Sequence, residues 1–130
     1  LGRLQTPDFE PEQFVSELTL DCSDAICAAY IMERLEEAAP RTLAVIDYLQ
    51  LLDQRREHPP LADQVSALKA FAQTRGLVIV VISQIDRSFD TSGKPFPDLY
   101  DVRLPNPLDL TLFSKSAFLN NGEVRLKEAA

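Results

Sequence analysis

The sequence RTLAVIDYLQLL at Arg41–Leu52, together with GLVIVVISQIDR at Gly76–Arg87, decides the predicted fold. Each stretch contains a short run of aliphatic residues that is too brief for a helix and is followed directly by polar side chains. Uninterrupted aliphatic runs of this length are typical of parallel strands that are buried on both faces. We therefore predict two buried strands, the first ending at Asp47 and the second leading into Ser83 and Gln84.

Asp47 stands where an open α/β sheet is expected to bind its ligand. The carboxyl ends of parallel strands border the ligand crevice, and the Walker B aspartate of P-loop ATPases holds Mg²⁺ there. The alternative is an aspartate that only ends a strand, because such sequences occur in every α/β fold. The aliphatic run and its carboxylate leave both interpretations open.

Two longer strings carry a resemblance to a known family. Asp47–Leu52 (DYLQLL), followed about thirty residues later by Ile82–Arg87 (ISQIDR), resembles the IDYLQLM and LSQLNR segments of hexameric replicative DNA helicases of the DnaB type. The resemblance is good over Thr42–Arg87 and weaker over Leu18–Pro40 and Asp98–Leu126. It implies an α/β fold, namely a RecA-like P-loop NTPase core with three layers and a mostly parallel sheet.

The same resemblance implies roles for the polar residues after the two strands. Asp47 would hold Mg²⁺ as the Walker B residue, and Gln84 would act as a catalytic sensor of the γ-phosphate of ATP. Tyr48, Gln50 and Ser83 would neighbour the nucleotide. The alternatives are an amide that caps a strand end for Gln84, and a half-buried aromatic with its hydroxyl at the surface for Tyr48.

DNA contacts are expected only from local loops. In the resembled helicases, loops after these strands hold the DNA backbone, which makes Arg87, Lys94 and Arg103 candidates here. Arg55 and Arg56 could serve likewise. A net charge of -7 and a pI near 4.6 argue against a generally basic surface. Solvated surface cations are therefore the competing interpretation.

The chain also departs from the helicase pattern. A phosphate-binding loop GxxxxGK[ST] needs two glycines five apart, but Gly93-Lys94 has Ser88 in the first position and Pro95 in the last. The P-loop and the acidic residue that activates water precede the matched region in those helicases. Their arginine-finger segment is replaced by Leu119–Gly122. We therefore expect residues 1–130 to be a single domain, the C-terminal portion of the core without its N-terminal P-loop segment.

Local patterns predict the remaining elements. Before the first buried strand, we expect a loop and short helix in residues 1–16, a strand at Leu18–Leu20, and a helix at Ala25–Ala39 capped by Ser23 or Asp24. Between the buried strands, we expect a helix whose start is pre-set by Pro60 and which runs through Arg75, with Gly76 as its stop. Beyond them, we expect an irregular loop at Arg87–Leu108 and short strands at Asp109–Phe113, Ala117–Leu119 and Glu123–Leu126, with Asn121-Gly122 making a small C-terminal β-hairpin.

Composition limits the class of protein. A chain of 130 residues with 45% apolar residues suits one globular domain. No apolar run could span a bilayer and no secretory signal is recognisable, so a cytoplasmic protein without a membrane partner is expected. Cys22 and Cys27 match no zinc spacing, and His58 is the only histidine, so a structural metal site is not expected. Leu1 in place of Met suggests part of a longer chain.

The predicted function is part of an ATP-dependent DNA helicase-like motor for replication or repair. ATP and Mg²⁺ would be its cofactors in the complete protein, and a homo-oligomer, hexameric as in the resembled family, its assembly. The chain alone is expected to be inactive. A catalytically silent RecA-fold module that binds partner proteins is the alternative, and an unrelated flavodoxin-like binding domain is a third. A GxxxxGK[ST] encoded upstream of Leu1 would favour the motor.

Overall fold

The structure, a computed structural model, describes residues 18–104 and 108–128. The loop and short helix predicted for residues 1–16 lie outside this part. The described residues form two helices and four strands, in the order α1 (Ala28–Arg34), β1 (Leu43–Asp47), α2 (Leu61–Arg75), β2 (Val78–Ile82), β3 (Lys115–Asn120) and β4 (Glu123–Glu128). Single turns of 3-10 helix occur at Leu49–Asp53, Arg87–Thr91, Leu99–Asp101 and Leu110–Leu112. None of the described helices is long and apolar enough to cross a membrane.

Strands β1 and β2 are parallel neighbours, as the two aliphatic runs predict. Leu43 lies opposite Val78 and Asp47 opposite Ile82. Parallel strands need a long crossover between them, and α2 supplies it. The helix spans Leu61–Arg75 directly after Pro60, and it ends where predicted because Gly76 takes the left-handed conformation with φ of 69°.

Only one face of this sheet is covered by the described residues. Ile46 is buried, and Ile79 and Val81 pack against the same core. On the other face, aliphatic side chains stay 43–60% exposed, namely those of Leu43, Val45, Val78, Val80 and Ile82. The prediction of strands buried on both faces is therefore wrong for this part of the chain, because both described helices contribute to a core on one side.

The core lies between the covered face of the sheet and the two helices. Leu49 and Leu52 of the first 3-10 turn are 1% and 0% exposed, the most deeply buried large side chains. They meet the apolar side of α2, and α1 packs against α2 through Ala28; the other members of this buried cluster are Ile46, Leu61, Val65 and Leu68. The turn that directly follows Asp47 is consequently fixed by burial.

Gln64 of α2 connects three segments through side-chain hydrogen bonds, two of them buried. Its Oε1 accepts from the Ala28 amide at 2.9 Å, and its Nε2 donates to the carbonyls of Leu52 at 2.7 Å and Pro59 at 2.8 Å. The predicted cap of α1 by Ser23 or Asp24 is therefore wrong. The helix begins after Cys27, whose side chain makes no capping hydrogen bond. The side-chain oxygen of Gln64 accepts the Ala28 N–H of the first turn in its place.

Three further predicted boundaries are also wrong. Leu18–Leu20 forms no strand, since β1 and β2 pair only with each other within the described residues. The first helix ends at Arg34 and continues as turns, with the Glu36 amide bonded to the Glu33 carbonyl three residues back. Asp109–Phe113 contains a 3-10 turn in place of a strand because the Asp109 carboxylate accepts the Thr111 amide at 3.0 Å and so favours a turn.

Strands β3 and β4 form an antiparallel pair joined by Asn121 and Gly122, both with positive φ. The pair contacts the preceding loop through two interactions. The Arg125 guanidinium lies 4.3 Å from the centre of the Phe96 ring, which is 9% exposed, and Asn120 Nδ2 donates to the Pro95 carbonyl at 3.1 Å. The irregular loop therefore has a fixed point of attachment near its middle.

Candidate functional site

Asp47 is the last residue of β1, and its side chain is exposed. It lies at the carboxyl edge of the parallel pair, on the uncovered face, and is joined to Tyr48 by a cis peptide bond. No group of three or more His, Cys, Asp or Glu side chains suited to a metal occurs in the described parts of the chain. Mg²⁺ is often held by one or two carboxylates together with substrate phosphates. A single exposed carboxylate therefore fits Mg²⁺ only as one ligand of a nucleotide complex.

Gln50, Ser83, Gln84 and Arg103 meet beside the end of β2. Gln50 Nε2 donates to Ser83 Oγ at 3.2 Å and to the Arg103 carbonyl. The Arg103 amide donates to the Gln84 carbonyl at 2.9 Å, and Arg103 Nη1 donates to Gln84 Oε1 at 3.4 Å. The structure thus joins two predicted nucleotide neighbours, the predicted sensor and one predicted DNA contact in a single network.

Tyr48 occupies a half-buried position between Asp47 and the buried turn. Its backbone is extended, and its carbonyl accepts the Leu51 amide at 3.0 Å. Tyr48 therefore begins the 3-10 turn that carries Gln50. A role of its side chain beside the nucleotide stays a prediction.

Segment 84–86 and segment 101–103 run antiparallel beside the sheet. An isolated bridge joins Ile85 to Val102, and the Asp86 amide donates to the Asp101 carbonyl at 2.6 Å. This pairing brings Arg103 back to Gln84 although nineteen positions separate them in the sequence. The long loop is therefore closed at its base by backbone hydrogen bonds.

The three predicted DNA contacts do not form one cluster of hydrogen bonds. Arg103 belongs to the network at Gln84, whereas Lys94 Nζ lies 2.6 Å from Asp101 Oδ2 and 3.4 Å from Asp98 Oδ2. Arg87 is exposed at the start of the 3-10 turn that Asp86 caps. The charge of Lys94 is compensated by these two carboxylates, while the Arg87 side chain points into solvent.

The pair of Lys94 and Asp101 is the part of the loop that sequence reasoning missed. Asp101 is 7% exposed and also accepts the Asp98 amide at 2.9 Å, closing a capping box. The hydrogen bond from Lys94 is the main cause that lowers the pKa of Asp101, and the one from the Asp98 amide is the second. The hydrogen bond between Lys94 and Asp101 also raises the pKa of Lys94. The spacing of Asp98 and Asp101, three apart after a proline, was the available signal.

Asp86 and Arg55 have local partners. Hydrogen bonds from the Ser88 amide and side chain lower the pKa of Asp86, with a smaller effect from the nearby charge of Arg103. Arg55 lies 3.9 Å from Glu57, and Arg56 is exposed. These contacts are typical of a solvated turn.

Comparison with known protein families gives a match that covers most of the chain. The family model described as the DnaB-like helicase C-terminal domain matches residues 15–106, more than two thirds of the chain. This range includes Asp47, the network at Gln84 and the whole loop to Arg103, whereas β3 and β4 lie beyond it. No curated protein and no solved structure matches the chain.

Proposed function

Since the chain belongs to the family of DnaB-like helicase C-terminal domains, we propose that it is the part of a helicase motor core that carries the Walker B strand and the sensor strand. The observation that carries this proposal is the parallel pairing of β1 and β2, which brings Asp47 and the Ser83-Gln84 pair to one edge of the sheet. In open α/β sheets, that edge borders the ligand crevice. The complete core is proposed to have the three layers of a RecA-like ATPase.

Asp47 is proposed to be a ligand of Mg²⁺ in a nucleotide complex. Its exposure and its position at the end of a strand support this role. When bound, Mg²⁺ neutralises negative charge that develops on the phosphates during phosphoryl transfer. Asp47 supplies one oxygen ligand, while the buried Leu49 and Leu52 fix the turn that follows it.

Gln84 is proposed to sense the γ-phosphate. The side-chain oxygen of Gln84 accepts a hydrogen bond from Arg103. This contact does not use the two N–H groups of the Gln84 side chain. An amide N–H group is a suitable donor to a phosphate oxygen. Loss of the phosphate would then free the Gln84 side chain and so change its contact with Arg103.

DNA binding is proposed for the loop that closes on Gln84. Arg103 and Arg87 flank its base, and an arginine can donate several hydrogen bonds to one phosphate. Lys94 is a weaker candidate because Asp98 and Asp101 already compensate its charge. The proposed complete protein is a homo-oligomer, a hexamer as in helicases of this type, that uses ATP and Mg²⁺.

Paramagnetic Mn²⁺ in place of Mg²⁺ tests the role of Asp47. Bound Mn²⁺ broadens the NMR signals of nearby amides, so titration of the isolated chain with Mn²⁺ and excess ATP is expected to broaden those of Ser83 and Gln84. Asp47→Asn should remove this broadening, because it removes the anionic ligand. Asp24→Asn, which neutralises an exposed carboxylate before α1, is the matched control and should leave it unchanged. Equal broadening at Ser83 and Gln84 in both variants would contradict the metal role.

A catalytically silent module that binds partner proteins is the second candidate. One feature favours it, the uncovered aliphatic face of the sheet, on which a partner protein could pack. Reading the gene upstream of Leu1 separates the two functions. A GxxxxGK[ST] followed by a helix pattern would support the motor, and an upstream sequence without it would support the module.

A further inference from the structure

Gln50 connects three segments that are far apart in the sequence. It lies in the 3-10 turn whose Leu49 and Leu52 are almost completely buried, so the backbone that carries it is fixed. Its side-chain nitrogen donates to Ser83 Oγ at 3.2 Å and to the Arg103 carbonyl, 33 and 53 positions away. Both N–H groups of one amide are thus used to hold β2 and the end of the loop together.

The orientation of the Gln50 amide follows from its partners. A carbonyl oxygen accepts and cannot donate, so the Arg103 carbonyl requires the nitrogen of Gln50 on its side. Gln50 Oε1 is buried and has no hydrogen-bond partner among the described residues. Because an unpaired buried acceptor is unfavourable, the two donor contacts rather than the oxygen account for the position of this side chain.

Arg103 in turn holds Gln84 at two points. Its amide donates to the Gln84 carbonyl at 2.9 Å, and its guanidinium Nη1 donates to Gln84 Oε1 at 3.4 Å. A movement of the Gln84 side chain therefore changes the environment of the Arg103 guanidinium. Gln50 acts on the same arginine through the Arg103 carbonyl.

We propose that Gln50 is a positioning residue that holds Arg103 against Gln84 and so couples the end of β2 to the base of the loop. The role of Gln84 as a phosphate sensor, and hence the use of this coupling, rests on the proposed function. The positioning itself depends only on contacts within this chain. Gln50 is accordingly expected to determine whether a movement of the Gln84 side chain also moves Arg103.

Gln50→Leu tests the positioning, because leucine keeps an apolar stem and removes both donors. Amide hydrogen exchange of Arg103 and Asp86, the two donors between the paired segments, is expected to speed up about tenfold. Amides of the β1–β2 ladder, such as Val80, should change less than about twofold. Gln54→Leu is the matched control, since Gln54 is an exposed glutamine just after the same turn.

A spectroscopic signature separates positioning from general destabilisation. In Gln50→Leu, the NMR signals of the Gln84 side-chain amide and the Arg103 guanidinium are expected to shift towards those of free side chains. Ser83→Ala supplies a second comparison, because it removes one acceptor of Gln50 and the contact of Ser83 Oγ with the Gln84 carbonyl at 3.4 Å, but leaves the contact of Gln50 with the Arg103 carbonyl.

Two outcomes overturn the proposal. One is unchanged Arg103 exchange and unchanged Gln84 signals in Gln50→Leu, and the other is an equal rise in exchange at Arg103 and Val80. Neither measurement involves metal, nucleotide or DNA. Failure of the Mn²⁺ test at Asp47 therefore leaves this proposal standing, and failure here leaves the metal role of Asp47 standing.

Discussion

Asp47 and Ile82 lie opposite each other in the parallel ladder of β1 and β2, on the face of the sheet that the described residues leave uncovered. Ile82 is 45% exposed, and four other aliphatic side chains on this face are at least 43% exposed. The candidate metal ligand therefore stands at the end of an apolar surface. Contact between such a surface and water is unfavourable by about 25 cal/mol per Å², so the surface favours association.

We expect the isolated chain to self-associate through this apolar face, and Val80→Lys to reduce the association. Val80 lies in the middle of β2 opposite Val45, and it is 43% exposed. A lysine there keeps its stem on the sheet and its charge in water, which opposes contact between two copies. Sedimentation at several concentrations measures the effect.

Ser66→Lys adds the same charge at an exposed position of α2 and is the control for Val80→Lys. A wild-type chain that stays monomeric at high concentration, with the amides of β1 and β2 protected from hydrogen exchange, would count against a truncated core. It would support an independent module in which both strands are shielded.

Gln64→Leu is expected to lower the free energy of unfolding by about 3 kcal/mol. The change keeps the volume roughly constant but leaves the Ala28 amide and the Leu52 and Pro59 carbonyls without their partner. Urea unfolding measures the loss. Gln54→Leu, at an exposed site, should alter the free energy of unfolding by less than about 0.5 kcal/mol, and equal effects of the two substitutions would show that the buried contacts of Gln64 contribute little.

Lys94→Gln is expected to raise the pKa of Asp101 towards the ordinary value of an aspartate. The hydrogen bond from Lys94 is the main cause of the lowered pKa, while the Asp98 amide contact should persist. NMR titration of the Asp101 carboxyl carbon measures the shift, at low protein concentration because the titration crosses the pI near 4.6. Lys115→Gln, which affects only the exposed pair with Glu128, is the control.

The sign of the corresponding pH dependence follows from the lowered pKa of Asp101. Its folded-state pKa lies below its unfolded value, so its contribution to stability is complete above the unfolded pKa, at about pH 4. The contribution is lost as the pH falls from there through the folded pKa. Lys94→Gln should weaken this acid dependence, and an unchanged pKa of Asp101 in the variant would exclude Lys94 as its cause.

Mg-ATP is expected to bind the isolated chain with a dissociation constant of about 1 mM or weaker. Tight phosphate binding requires a glycine-rich loop at a helix N-terminus, and no GxxxxGK[ST] occurs in the 130 residues. Isothermal titration calorimetry measures the affinity, with Asp47→Asn as the comparison. Micromolar binding would mean that the nucleotide site has been misplaced.

The sequence alone determined the elements whose signals are local. Six aliphatic residues at Leu77–Ile82 predicted β2 to within one residue, and Pro60 with Gly76 bounded α2 as observed. Asn121-Gly122 also marked the turn between β3 and β4. In each case, the residues that specify the backbone are neighbours in the chain, so their pattern is sufficient.

Only the tertiary structure decided which partners the polar residues have. Gln64 looks like an ordinary helix residue in the sequence, yet it caps α1 from 36 positions away. Lys94 was predicted as a DNA contact, and the fold pairs it with the buried Asp101. Gln50 and Arg103 meet because α2 lets β2 pair in parallel with β1, and because the end of the loop then pairs with the segment that contains Gln84. Such contacts depend on how segments pack in space, and sequence spacing does not record the position of a partner from another segment.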